Sequence, residues 1–233
     1  MIKELFADAI FPRRCAICDT VIGRNDYLCS NCAKTVRPIE RATCYRCGKS
    51  LEDETLYCYD CRRKIHYFDR NFAIFEYRDV KQSLYRFKYS GRAEYARFYA
   101  MAAGKYVGET LRSLKADAII PVPIHKSRRE KRGYNQAEEL ARELSYRIDV
   151  PLMTDFVLRE KATVPLKELG EKERRNNLKK AFIIGRNDVK LKTIIIVDDI
   201  YTTGATLDAI SCVCRRVGVR KIFCLTVAIG RGI

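Results

Sequence analysis

The sequence is poor in histidine, in acidic residues and in long apolar runs, and each shortage narrows what the chain can be. Only two histidines, His66 and His125, occur in 233 residues. Neither stands near the segment with the strongest chemical pattern, so that segment has no histidine general base in its own neighbourhood. No apolar stretch approaches the roughly 20 residues that cross a bilayer. The opening residues, MIKELFADAIF, are too short and too acidic for a secretory signal and read as a short amphipathic helix. A cytoplasmic chain without a membrane span is expected. A complete G-x-x-x-x-G-K-[ST] nucleotide loop is also missing: Gly48-Lys49-Ser50 has Thr43 where the first glycine belongs, and Gly104-Lys105 is followed by Tyr106. Against 45 Lys and Arg there are 29 Asp and Glu, a net charge of +16. Residues 1–66 carry 12 basic against 9 acidic side chains, residues 67–233 carry 33 against 20. The excess therefore sits in the larger part and favours an anionic partner, a polyphosphate or a nucleic acid.

The most informative stretch is Ile194 to Thr206, IIIVDDIYTTGAT. Four β-branched residues, Ile194 to Val197, suit a strand buried on both faces, as in a parallel sheet. Asp198 and Asp199 stand where that strand is expected to end. Thr202, Thr203, Gly204, Ala205 and Thr206 then form a small-residue turn opening a helix from Leu207 to Val217. Ligands of open α/β sheets bind at the carboxyl ends of strands. Such a turn lets backbone N–H groups approach a phosphate, and the helix N-terminus adds partial positive charge. Two carboxylates would repel a phosphate, but they suit a vicinal diol. The implied ligand is a ribose 5-phosphate. A Walker B strand is the rival, and it lacks its glycine-loop partner. The pattern resembles type I phosphoribosyltransferases. That resemblance implies 5-phosphoribosyl 1-pyrophosphate (PRPP) as ligand, with Asp198 and Asp199 on the ribose diol and residues Thr202 to Thr206 around the 5-phosphate.

Eight of the 11 cysteines form four C-x-x-C pairs, Cys15/Cys18, Cys29/Cys32, Cys44/Cys47 and Cys58/Cys61. The first two pairs recur 29 residues later, an internal duplication of a C-x2-C-x10-C-x2-C unit. In a cytosolic chain this pattern reads as two tetrahedral zinc sites of structural kind, not disulfides. Each unit is too short to bury a core, so metal must supply folding energy of order 10 kcal/mol per site. Sequential grouping is simplest, with Cys15, Cys18, Cys29 and Cys32 on one ion and Cys44, Cys47, Cys58 and Cys61 on the other. An interleaved cross-brace and an iron–sulfur centre are the alternatives. Gly48 fits the knuckle after Cys47. Cys212, Cys214 and Cys224 read as small core residues, and His66 as a surface residue.

Between these landmarks, strands are expected at Tyr67–Tyr77, Ala116–Val122, Phe156–Arg159, Ala181–Ile184 and Lys221–Ile229. Helices are expected at Asp79–Tyr89, Ala93–Leu114 and Gln136–Arg147, the last with Asn135 as a possible N-cap. Lys161–Lys180 reads as a mobile loop with one short helix. Strands alternating with helices imply a parallel sheet. The segment HKSRREKRGYNQ reads as a basic loop on the edge that holds the acid pair. Arg128 and Arg132, with Lys126 behind them, are the candidates for neutralising pyrophosphate as it leaves. Tyr85, Tyr89, Tyr95 and Tyr99 offer stacking faces for bases, or simply core.

The order of the pieces resembles the ComF family, ComFC-type competence proteins. These pieces are the cysteine pairs, FKYSGR (Phe87–Arg92), PVPIHKSRREKRGYNQ (Pro121–Gln136), an ER..N..AF element (Glu173, Arg174, Asn177, Ala181, Phe182) and VDDIYTTGAT. The resemblance implies an α/β fold: a type I phosphoribosyltransferase-like, mostly parallel sheet with flanking helices at 67–233, preceded by a small double zinc-ribbon module at 1–66. It implies zinc, magnesium with PRPP, and a place in DNA uptake with single-stranded DNA and a competence helicase as partners. The family's T-x-x-Q-x-x-L loop aligns with Thr163, Leu166 and Leu169, so leucine replaces the glutamine, and Gly170 replaces a serine. If that glutamine touches substrate, the exchange bears on catalysis and not on ligand binding. Three readings follow: an enzyme with unknown acceptor, a ligand- and DNA-binding protein without catalysis, and a scaffold for a helicase.

Overall fold

A strand that is apolar on both faces needs cover on both, and the covering of Ile194–Val197 organises this fold. A computed structural model describes residues 12–160, 181–185 and 190–230. The expected N-terminal helix (1–11) and the expected loop at 161–180, with Thr163, Leu166, Leu169, Gly170, Glu173, Arg174 and Asn177, lie outside the described residues. The elements in chain order are α1 (Ser30–Thr35), α2 (Tyr59–Arg63), β1 (Arg70–Glu76), α3 (Tyr77–Tyr89), α4 (Tyr95–Ser113), β2 (Ala118–Pro121), α5 (Lys126–Arg132), α6 (Gln136–Ile148), β3 (Val157–Arg159), β4 (Phe182–Ile184), β5 (Thr193–Tyr201), α7 (Ala205–Arg216) and β6 (Lys221–Ile229).

Four strands form one parallel sheet in the order β1-β6-β5-β2. Along β5 the side chains alternate between two cores, as strand geometry requires. Ile195 and Val197 pack with Leu84, Phe87, Tyr99, Leu140 and Leu144 from α3, α4 and α6. Ile194 and Ile196 pack with Phe156, Phe182, Leu207, Ile210 and Cys214 on the other face. Cys214 and Cys224 are fully buried, as expected of small core residues, while Cys212 is half-buried.

Both sides of the sheet are closed by segments that are not strands. Beside β1, Ile39 N–H donates to the Ile74 carbonyl and Asn71 N–H to the Arg46 carbonyl, both at 2.8 Å. Beside β2, Ile119 N–H donates to Pro151 at 2.7 Å and Met153 N–H donates to Ile119 at 2.9 Å. Among the described residues no helix is long and apolar enough to cross a membrane.

Three expectations are corrected. Strand β5 does not end at Val197: it runs through both aspartates to Tyr201, because Asp198 still pairs with Thr226 and Tyr201 with Ile229 of β6. The basic segment is not a loop. Residues Lys126–Arg132 are helical, with the His125 side chain accepting from Ser127 N–H at the start and Gly133 (φ 81°) closing the end. Lys, Arg and Glu are good helix formers without any apolar stripe, so periodicity could not reveal α5. Finally, β3 and β4 pair with each other, antiparallel and apart from the main sheet.

Candidate functional site

Register places the two chemical segments on one edge. Pro121 of β2 lies opposite Val197 of β5, and Val122 N–H donates to the Val197 carbonyl at 2.9 Å. One residue further along β5 comes the acid pair, and a few residues beyond Val122 comes the basic helix α5. After β5 the chain turns at Gly204, whose φ of 74° is left-handed, and enters α7. A Cβ at Gly204 would lie 2.5 Å from the Tyr201 hydroxyl oxygen, so both conformation and space require glycine. Among the described residues the N–H groups of Thr203, Gly204, Ala205, Thr206 and Leu207 donate to no backbone carbonyl. That is the donor set a helix start offers to an anion.

The two carboxylates differ. Asp199 Oδ2 meets Lys88 Nζ at 2.8 Å, with both side chains largely covered. Asp198 accepts the Asp199 N–H at 2.8 Å. Its carboxyl is pushed up to about 7, first by burial and then by the neighbouring Asp199 charge, against the pull of Lys88 and Arg159. Arg159 on β3 is pulled down to about 10, by burial first and by Arg128 second, with Asp198 acting in the opposite sense. Its guanidinium lies 5.3 Å over the Phe182 ring. The fields of Asp198, Arg159 and Arg128 therefore overlap.

Of the three basic candidates on α5, Arg128 is the one whose charge acts on this group. Arg132 turns towards α3: it donates to Gln136 Oε1 at 2.8 Å and stacks 4.9 Å over the Tyr89 ring. Lys126 begins the helix. The R-G-Y-N-Q run is a clasp. The Tyr134 hydroxyl and Gln136 Nε2 both donate to the Phe87 carbonyl. Asn135 caps α6 at Ala137 N–H and donates to the Val122 carbonyl at 3.0 Å. The clasp joins the end of β2 to the residue just before Lys88, and so sets Lys88 against Asp199.

Lys88 and Arg159 were not singled out from the sequence. Lys88 lies inside FKYSGR, a usable signal, whereas Arg159 is a lone arginine at a strand end and carried none. The four tyrosines divide. Tyr95 and Tyr99 are 1% exposed and belong to the core, whereas Tyr85 and Tyr89 are 59% and 56% exposed, with ring centroids 5.1 Å apart. They line a cavity of about 420 Å³ with Tyr77, Lys81, Lys88 and Ile200.

The cysteines fall into two groups, Cys15, Cys18, Cys29 and Cys32, and Cys44, Cys47, Cys58 and Cys61, each with its donor atoms within 4.8 Å of one another. Sequential grouping, not the cross-brace, is what the chain adopts. Sulfur separations of 3.7 Å, for Cys18–Cys29 and Cys47–Cys58, match the edge of about 3.8 Å for a tetrahedron with metal–sulfur bonds of about 2.3 Å. The donor set thus fits zinc. Gly48 has φ 79° and its N–H returns to the Cys44 carbonyl, as a knuckle needs. His66 is not at the surface. It is 6% exposed, with Nδ1 2.8 Å from Asp208 Oδ2 and its ring 4.7 Å from Phe68. A carboxylate 142 positions along the chain draws it inside, and that partner is not visible in local sequence.

Comparisons with known proteins give two family matches. Residues 6–62 match the double zinc ribbon domain and residues 101–232 the phosphoribosyl transferase domain. Competence protein F of Haemophilus influenzae is 34% identical over 220 residues, covering 91% of this chain and 95% of that protein. The DNA utilization protein YhgH of Escherichia coli K12 is 27% identical, covering 92% and 96%. Competence protein ComFC of Bacillus subtilis is 27% identical, covering 83% and 85%.

Proposed function

The chain belongs to the ComF family, a double zinc ribbon joined to a phosphoribosyltransferase domain, and on that premise we propose that it binds PRPP with magnesium at the carboxyl edge of β5. One observation carries the reading: near the carboxyl end of one strand, two carboxylates are followed two residues later by a turn whose N–H groups donate to no backbone carbonyl among the described residues. Asp198 and Asp199 accept from the ribose 2- and 3-hydroxyls. Residues Thr202 to Thr206 wrap the 5-phosphate. Arg128, with Lys126 on the same helix and Arg159 opposite, neutralises the pyrophosphate, and Arg132 steadies the aromatic side of the site. Lys88 balances Asp199 until the ligand arrives. Magnesium, when bound, screens the pyrophosphate charge. The chemistry this arrangement suits is displacement at ribose C1, with pyrophosphate as leaving group. The two cysteine groups each hold a structural zinc, and residues 1–66 and 67–233 act as two joined units. Relatives named for competence and DNA utilization support a role in DNA uptake. A calorimetric titration of PRPP tests the site: saturable binding with magnesium and much weaker binding without it are expected. Absence of heat and of any melting shift with magnesium present would remove the assignment.

A second reading rests on the exposed Tyr85–Tyr89 pair beside Lys81, Lys88 and Arg132. Rings flanked by cations suit the bases and phosphates of single-stranded DNA. Fluorescence titration of an oligothymidine should show binding that falls steeply with salt. Binding should survive Asp198→Asn and drop about tenfold or more in a Tyr85→Ala, Tyr89→Ala variant, since base stacking contributes about 1–3 kcal/mol per base. Equal binding by the tyrosine variant would place the DNA elsewhere.

A further inference from the structure

The residues just past Cys61, the last of the eight ribbon cysteines, return to the turn that follows β5. Lys64 Nζ donates to the Thr203 carbonyl at 2.7 Å, and its side chain is 19% exposed. Asp208, in the first turn of α7, lies 3.7 Å from the same ammonium. Both Asp208 oxygens are already taken, Oδ2 by His66 Nδ1 at 2.8 Å and Oδ1 by the Tyr67 N–H at 2.9 Å. Asp208 therefore balances the charge of Lys64 while leaving its hydrogens to Thr203. His66 Nε2 in turn lies 3.9 Å from Cys61 Sγ. Below this layer, Phe68 packs edge-on to Tyr201 with centroids 6.3 Å apart, and Tyr201 fills the space beneath Gly204.

The consequence follows from peptide geometry. In a planar trans peptide the carbonyl and the following N–H point in opposite directions. Holding the Thr203 oxygen on the ribbon side therefore turns the Gly204 N–H to the other side, and the Asp208 contacts fix the helix start behind it. We propose that Lys64 is a positioning residue for the 5-phosphate turn, held in place by His66 and the second cysteine group, so that this metal site and the phosphoribosyl site are energetically coupled. The inference rests on the PRPP reading above and adds that the second ribbon forms the outer wall of that site. By linkage, a ligand that tightens the turn also tightens the metal, and the coupling is reciprocal.

Three probes are titrated by calorimetry into the zinc-loaded full chain, Lys64→Met and Lys64→Arg: PRPP with magnesium, ribose 5-phosphate, and pyrophosphate with magnesium. Lys64→Met should weaken the first two by the same factor, about tenfold or more, and leave pyrophosphate unchanged. Lys64→Arg should recover most of the loss, since it keeps a charged donor. A role confined to folding would weaken all three together. If the unmutated chain fails to bind PRPP, the site assignment itself falls. If it binds and Lys64→Met binds equally well, only the present inference falls. A measurement that needs no variant is zinc release to a chromogenic chelator with and without ribose 5-phosphate, which carries no pyrophosphate to bind the metal. Slower release of one of the two zinc ions supports the coupling, and release of both at unchanged rate overturns it.

Discussion

Replacing Asp198 by asparagine should abolish the PRPP–magnesium rise in melting temperature and yet yield a more stable protein at pH 8. Burial and the Asp199 charge raise the Asp198 carboxyl from the ordinary 3.8 to about 7. Between those values the folded chain binds a proton that the unfolded chain has lost, so stability falls as pH rises through this window. Below about pH 4 both states are protonated and the penalty is absent; above about pH 7 it is fully developed. A shift of this size corresponds to a few kcal/mol, or roughly 5–10 °C for a chain of this length. Asparagine keeps the shape and never ionises, so the gain over the parent should appear only as pH climbs. Asp199→Asn should also abolish the ligand effect but with the opposite sign on stability, because it strips the partner from the largely covered Lys88. Ligand at 100 times its dissociation constant stabilises the unmutated chain by about 2.7 kcal/mol. Its affinity should increase as pH passes through 7, when Asp198 ionises. Thermal melts from pH 5 to 9 decide: matching pH profiles for the parent and Asp198→Asn would refute the raised carboxyl, and a retained ligand shift in both variants would refute the diol site.

Losing a cysteine from the second ribbon should cost far more than losing one from the first. The parent should carry about two zinc ions per chain and each cysteine variant about one. Cys44, Cys47 and Cys58 belong to the same buried cluster as Phe68, Tyr201 and Leu207. Cys18 is exposed. Beyond Ala16, which reaches the core on the other face of the sheet, the first ribbon is held by a polar clasp in which Arg92 reaches both Asp19 oxygens, at 2.8 and 2.9 Å, and Arg86 donates to the Ile17 carbonyl. Cys44→Ser therefore opens the core on that face of the sheet, a loss of several kcal/mol and roughly 10 °C or more. Cys18→Ser should release one zinc, loosen the first ribbon and leave the melting of the sheet within a few degrees. Metal analysis and thermal melts of both variants give the comparison, and equal losses would contradict it.

What local sequence could reveal divides along physical lines. The central strand, the turn and the helix after it were legible because β-branched residues, adjacent acids and a left-handed glycine are local preferences. The four cysteine pairs were legible because their duplicated spacing is local, whereas sequential grouping over the cross-brace is decided by the fold, which brings each set of four thiols within 4.8 Å. Helix α5 was hidden because it has no apolar face. The run of β5 past its carboxylates depends on β6 offering Thr226 and Ile229 as partners. Tyr85 and Tyr89 share the spacing of Tyr95 and Tyr99, and only the direction in which each helix meets the sheet separates wet rings from dry ones. Lys88, Arg159, Lys64 and Asp208 acquire their roles from neighbours far along the chain. The family resemblance quoted the Lys88 segment without its reason, which is the clasp of Tyr134 and Gln136 on the Phe87 carbonyl.

The non-strand segments flanking β1 and β2 bear on how this protein behaves in crowded solution. A parallel sheet of four strands has two rims of unsatisfied amides, each a template on which a second molecule can build. Here one rim is bonded by Ile39 and Arg46 of the ribbon and the other by Pro151 and Met153. Stripping metal from the ribbon thus unmasks one rim, and the first symptom of zinc starvation should be fibrous self-association through β1.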